Sequence, residues 1–181
     1  MDRREELVLR PLRAEDEPQV LDAQRVLAQE DFVFALGLRD GAAFATYLQQ
    51  LVAERAGVGL PADRVPATFL VAVLGDTLVG RLSVRHRLNA HLAIVGGHIG
   101  YGVLPPFRRQ GYATRLLVHG VQLLATLAVE RAFVTCDEHN AASRRVIERV
   151  GGTYVDTYRG PEAKVPTRRY WISTRGVAVP R

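Results

Sequence analysis

With 181 residues, 48% of them hydrophobic, the chain is long enough to bury a sizeable core and short enough to do so as a single domain spanning 1–181. Its one cysteine, Cys136, excludes an internal disulfide, and its five histidines lack the one-face spacing of a zinc helix, so no metal site is expected. The net charge of +5 comes almost wholly from arginine, Lys164 being the only lysine, and the arginines are spread along the chain without interleaved aromatics, which argues against a nucleic-acid partner.

Residues 1–6 lack the apolar stretch of a leader, and no later run is long enough to span a bilayer, so a cytoplasmic location without a membrane partner is expected. Residues 7–11 read as a first strand, and Asp16 and Glu17 beside Pro18 open a helix running to about Gln29. A second helix should follow Asp40 and Gly41, with Phe44, Leu48, Leu51 and Val52 on one face. Residues 57–66 form a loop bearing Gly and Pro, and residues 69–74 and 78–85 flank Gly75, Asp76 and Thr77, a hairpin signal. Residues 86–97 show no clear period, because Asn89, Gly96 and Gly97 interrupt their apolar positions. Ile99, Tyr101 and Val103 then alternate as in a half-buried strand, and Leu116, Leu117, Val121, Leu124 and Leu127 recur at helical spacing. Residues 132–136 read as a buried strand, and 140–150 as a helix stopped by Gly151 and Gly152. Residues 153–158 and 168–174 make a last strand pair. The order predicts an α+β fold with a mixed, mostly antiparallel sheet.

The strand-to-helix junction carries the chemistry. Pro105 and Pro106 stop the strand and leave its last backbone groups unpaired. A helix N-terminus exposes free N–H groups and carries partial positive charge, so it binds phosphate oxygens wherever the backbone can be approached. Gly111 and Ala113 leave that approach open, and Arg108 and Arg109 add charge. The competing reading is that Gly111 and Ala113 only permit close helix packing.

The junction resembles the cofactor-binding motif of the GNAT N-acetyltransferases: Arg or Gln, two residues, Gly, one residue, then Gly or Ala, here Arg108, Gly111 and Ala113. In that family a strand ending in Val, any residue, Pro comes first, as do Val103, Leu104 and Pro105. A short strand then leads to Asn, two residues, Ala or Ser, and an apolar helix ending in Gly, matched by residues 133–136, Asn140, Ser143 and Gly151. Residues 99–151 carry these motifs, and the rest agrees in element order. The resemblance implies the acyl-CoA N-acyltransferase fold, with a sheet splayed at the motif strand, flanked by helices and holding acetyl-CoA in the gap. It implies that backbone N–H groups of Arg109, Gln110, Gly111, Tyr112, Ala113 and Thr114 hold the pyrophosphate, beside Arg108 and Asn140. Val103 and Leu104 would pair with the pantetheine arm like an added strand.

The family passes acetyl directly from the thioester to an amine of a small molecule or protein, so the amine must be neutral. A lysine-like ammonium with pKa about 10.4 needs a base. His98, on the strand entering the motif, titrates near neutrality and is the first candidate, followed by Asp137, Glu138 and His139. A hydrogen-bonded structural role competes for His98, and a solvated turn for residues 137–139. Many family members donate a proton to the leaving sulfur from a Tyr seven residues after the Asn; here that position is Ile147. Ser143 stands where the RimL-like branch also has Ser and is the candidate donor, although Asn140 and Ser143 equally suit a helix start. Tyr101, Tyr154 and Tyr158 are reserves. An acyl-CoA-binding domain without turnover, suggested by Ile147, is the alternative to an enzyme. The resemblance is to a bacterial branch and leaves the acceptor open, with residues 24–64 and 158–168 as the specificity segments, in a monomer or homodimer.

Overall fold

The computed structural model describes residues 6–39 and 41–178; most of the segment 1–6 and Asp40, expected ahead of the second helix, lie outside them. β1 (Leu7–Arg10), β2 (Ala67–Leu74), β3 (Thr77–Arg85) and β4 (Ile99–Val103) form an antiparallel four-stranded sheet in chain order. β5 (Arg131–Asp137), β6 (Thr153–Tyr158) and β7 (Thr167–Ser173) form a second antiparallel sheet with β7 in the middle. Four helices complete the described residues: α1 (Glu17–Ala28), α2 (Phe44–Ala56), α3 (Tyr112–Thr126) and α4 (Ala141–Arg149). The elements read from the sequence are all present within a residue or two of their expected ends, and 86–97 contains no regular strand or helix.

β2 is apolar at every position but one because helices cover both its faces. Phe69, Val71 and Val73 point toward Val20 and Leu27 of α1 and Phe44 and Tyr47 of α2. Leu70 and Ala72, alternating with them, join Leu116, Leu117, Val121 and Leu124 of α3. That second cluster extends to Ala132 and Val134 of β5 and Ile172 of β7, so one apolar core links both sheets. Val52 does not join the α2 face as expected: it is 71% exposed. Phe44, Tyr47, Leu48 and Leu51 already fill the stripe at i, i+3, i+4 and i+7, and Val52 lies one step round the helix.

The sheets meet at a closed end around His98, where Gly96 N–H also donates to the Thr135 hydroxyl of β5 at 3.1 Å. His98 N–H donates to the Phe133 carbonyl at 2.7 Å, and Phe133 N–H donates to His98 Nδ1 at 2.9 Å. Gly97 makes this approach possible, since a Cβ there would lie 2.3 Å from that carbonyl and its φ is +58°. Beyond this contact, among the described residues, β4 pairs only with β3 and β5 only with β7, leaving a cleft between two unpaired edges. The expected sheet is thus two sheets splayed from a closed end at His98.

Candidate active site

The register of β3 and β4 decides which backbone groups of β4 face the cleft. Arg85 N–H donates to His98 O at 2.8 Å and Leu104 N–H to Val79 O at 2.9 Å. Alternation therefore turns the His98 carbonyl and the polar groups of Gly100, Gly102 and Leu104 toward β3 and those of Tyr101 and Val103 toward the cleft. Of the pair read from the sequence, Val103 faces the open edge; Leu104 does not, because its N–H is already engaged.

The cradle follows directly. A 3-10 turn at Pro105–Phe107 ends the strand, and Arg109 (φ +65°) and Gly111 (φ +83°) turn the backbone through the left-handed region into α3. Among the described residues no carbonyl or side chain accepts from the N–H groups of Arg109, Gln110, Gly111, Tyr112, Ala113 or Thr114. They open onto solvent at a helix N-terminus. No atom lies within 4 Å of a Cβ built on Gly111, so glycine is required here for its φ, and the space before it is free for a ligand. These features fit a pyrophosphate. Arg109 has no acidic partner among the described residues, whereas Arg108 is committed elsewhere. Its Nε donates to Val103 O at 3.0 Å and its two Nη atoms grip Glu30 at 3.0 and 2.7 Å. Arg108 therefore braces the strand end against α1 instead of lending its charge to the cradle.

Across the cleft, Asn140 caps α4 by accepting from Ser143 N–H at 2.9 Å, which leaves the Ser143 hydroxyl free of the cap. The Tyr101 hydroxyl is buried near that hydroxyl and near Cys136, without a hydrogen bond of good geometry to either. Burial pushes the pKa of this phenol up, so it remains a proton donor. Burial likewise raises the Cys136 thiol to about 11, leaving it a packing residue and not a nucleophile. Ile147 is wholly buried in the core and presents nothing polar to the cleft.

His98 differs from expectation in a way its partners explain. Because Phe133 N–H donates to Nδ1, the neutral ring must carry its proton on Nε2 and keeps no free lone pair. Burial holds its pKa below the ordinary value, so this neutral form dominates at pH 7. The ring stitches the closed end and is unsuited to take up a proton. Asp137 accepts from His139 N–H at 2.7 Å and shapes the turn into α4.

Sequence reading missed a cavity of about 130 Å³ between α2, β3 and the 86–97 segment, lined by Glu54, Arg64, Phe69, Ser83, Arg85 and Leu92 among others. Burial raises the pKa of its carboxyl group, Glu54, and Arg64 lies 3.7 Å from it. The available signal was Arg81 and Arg85, two charges on one face of a mostly buried strand. Among the described residues no cluster of His, Cys, Asp and Glu could hold a metal, and no helix is long and apolar enough to cross a membrane.

Residues 6–153 match the family model described as an acetyltransferase (GNAT) domain. No curated protein sequence matches the chain. Among solved structures, RimJ of Mycobacterium smegmatis in complex with CoA-disulfide is similar with a TM-score of 0.66 at 20% identity, over 92% of this chain and 81% of that one. A ribosomal-protein-S5-alanine acetyltransferase from Vibrio fischeri gives 0.68 at 12% identity over 95% of each chain. The yncA protein of Salmonella typhimurium, solved with acetyl-CoA, gives 0.61 at 14% identity over 97% of this chain and 98% of that one. At these identities the likeness is one of fold.

Proposed function

The chain belongs to the GNAT acetyltransferase domain family, and on that premise we propose how its own residues carry acetyl transfer. It is an acetyl-CoA-dependent N-acetyltransferase acting on an amine. The observation that carries the assignment of residues is the run of unpaired N–H groups from Arg109 to Thr114 beside the unpaired edge of β4.

Those N–H groups, with Arg109, hold the pyrophosphate. Tyr101 offers its cleft-facing backbone groups and Val103 its N–H to the amide-bearing pantetheine arm, the Val103 carbonyl being held by Arg108, and Asn140 fixes the facing helix start. The thioester then lies against the strand, where a backbone N–H of β4 stabilises the oxyanion formed on attack. The N–C bond forms and the C–S bond breaks. The hydroxyls of Tyr101 and Ser143 stand ready to protonate the departing sulfur in place of the Tyr replaced by Ile147. The amine's proton leaves through water toward Glu54, whose raised pKa suits a base better than that of an ordinary carboxylate.

We further read the protein as a single-domain enzyme of the bacterial cytoplasm, monomeric or homodimeric, without nucleic-acid or membrane partners; the core shared by both sheets supports the single domain. The test is detection of free CoA across a panel of amines. Release that requires both acetyl-CoA and an amine supports the reading, and binding of acetyl-CoA without release on any amine contradicts it.

A further inference from the structure

The wall of the cavity formed by β3 carries Arg85, with Arg81 behind it, and Glu54 offsets the charge of Arg85 only from beyond ion-pair distance. Arg81 and Arg85 share the face of β3 that looks toward α1 and α2. Arg81 is only 4% exposed; its two Nη atoms donate to the carbonyls of Gly100 and Val33, both at 3.0 Å, and its guanidinium lies 4.5 Å from the centre of the Phe32 ring. Its Nε is buried without a partner. Burial pulls its pKa down to about 9, so it is still charged at pH 7. Arg85, half-buried, donates from Nη1 to the carbonyls of Gly96 and Gly97 at 3.2 and 3.3 Å. Neither guanidinium meets a carboxylate at ion-pair distance among the described residues. Glu54 is already shared with Arg64, and the Asp63 at the mouth is exposed.

A buried cation without a counter-ion is costly, and the cost falls when a ligand brings the missing charge. The position is informative. A Cβ on Gly100 would lie 3.2 Å from Arg81 Nη1 and 3.7 Å from Arg85 Nη1, so both heads sit over the strand residue that precedes Tyr101. Only Arg85 lines the cavity; Arg81 lies behind it and adds its field. Phe69 and Leu92 supply an apolar wall. We propose that the acceptor is a small amine that also carries an anionic group, carboxylate or phosphate, and that this group docks on Arg85 in the cavity with the amine directed toward β4. The inference rests on the acetyl transfer proposed above. The same two cations repel a polyamine, so the cavity selects against acceptors that are purely cationic.

The test compares matched acceptors at saturating acetyl-CoA: L-amino acids against their primary amides, and phosphoethanolamine against ethanolamine. The acidic member of at least one pair is expected to have a kcat/KM about tenfold or more above its neutral partner, and the responding pair identifies carboxylate or phosphate. Arg85→Gln should erase that ratio and leave the KM for acetyl-CoA unchanged. Should this variant fail to fold, Arg85→Lys, which keeps the charge and loses the fork, should reduce the ratio severalfold. Equal rates within both pairs, or faster transfer to the neutral members, overturn the anion site and leave acetyl transfer standing. A separate arm needs no turnover. N-acetyl amino acids should raise the melting temperature more than their amides, a difference that persists even if no amine releases CoA; equal shifts overturn the proposal.

Discussion

In the proposed mechanism the chemistry turns on Tyr101, because its backbone faces the cleft and its buried hydroxyl lacks a firm partner. Tyr101→Phe and Ser143→Ala are each expected to lower kcat by about tenfold to a hundredfold, with acetyl-CoA affinity little changed, since a donor to the leaving sulfur acts in the transition state. Steady-state kinetics against both substrates checks this. His98 makes the opposite case. His98→Ala should leave the pH profile of kcat unchanged but cost about 1–3 kcal/mol of stability, read by denaturant unfolding, by orphaning the buried Phe133 N–H. Burial lowers the pKa of His98, as it does for His86 and His119, so the unfolded chain takes up these protons first as pH falls. The native protein should therefore be fully stable above about pH 6.5 and lose stability below it, by a smaller amount in His98→Ala. Sequence shows that a histidine enters the motif strand. It does not show that a backbone N–H from a strand 35 residues away uses its lone pair.

At the scale of elements, most of the molecule was legible. The apolar runs of β2 and β3 about their tight turn, the alternation in β4 and the helical stripe of α3 are local patterns, and Gly, Pro and Asn punctuate them where the chain turns. The junction before α3 was legible for the same reason: Gly111 needs φ +83°, which a sequence announces through glycine. Gly111→Val should abolish stabilisation by acetyl-CoA in a thermal-shift assay, because a β-branched residue resists that φ and fills the open space. Arg109→Ala should only weaken it, since the N–H groups remain. Equal effects would speak against a backbone cradle. Arg108 was not legible in this way. Its type fits the motif, but its two partners, Glu30 and the Val103 carbonyl, are brought to it by the packing of α1 against the end of β4.

For the whole molecule, the decisive geometry is a pair of sheets joined by one core and touching at one end. The order of the strands is read from the sequence and the splay at the motif strand from the family resemblance, but not where the two halves still meet, which depends on the contact between Gly97 and Phe133 and on what β4 and β5 leave unpaired beyond it. Gly97→Ala should cost about 2–4 kcal/mol in chemical denaturation, since the added Cβ meets the Phe133 carbonyl and the residue is held at φ +58°. The Arg81 and Arg85 face is likewise a product of assembly, formed only when α2 closes over β3 and β4 runs alongside.

Backbone amide hydrogen exchange with and without acetyl-CoA tests the central claim most directly, because the account rests on particular N–H groups lacking protein partners. Binding should slow exchange at the N–H groups of Arg109 through Thr114 and at those of Tyr101 and Val103, while the N–H of Leu104, already bonded to Val79, changes little. Acetyl-CoA that binds and leaves the N–H groups of residues 109–114 exchanging at their free rate would contradict the account.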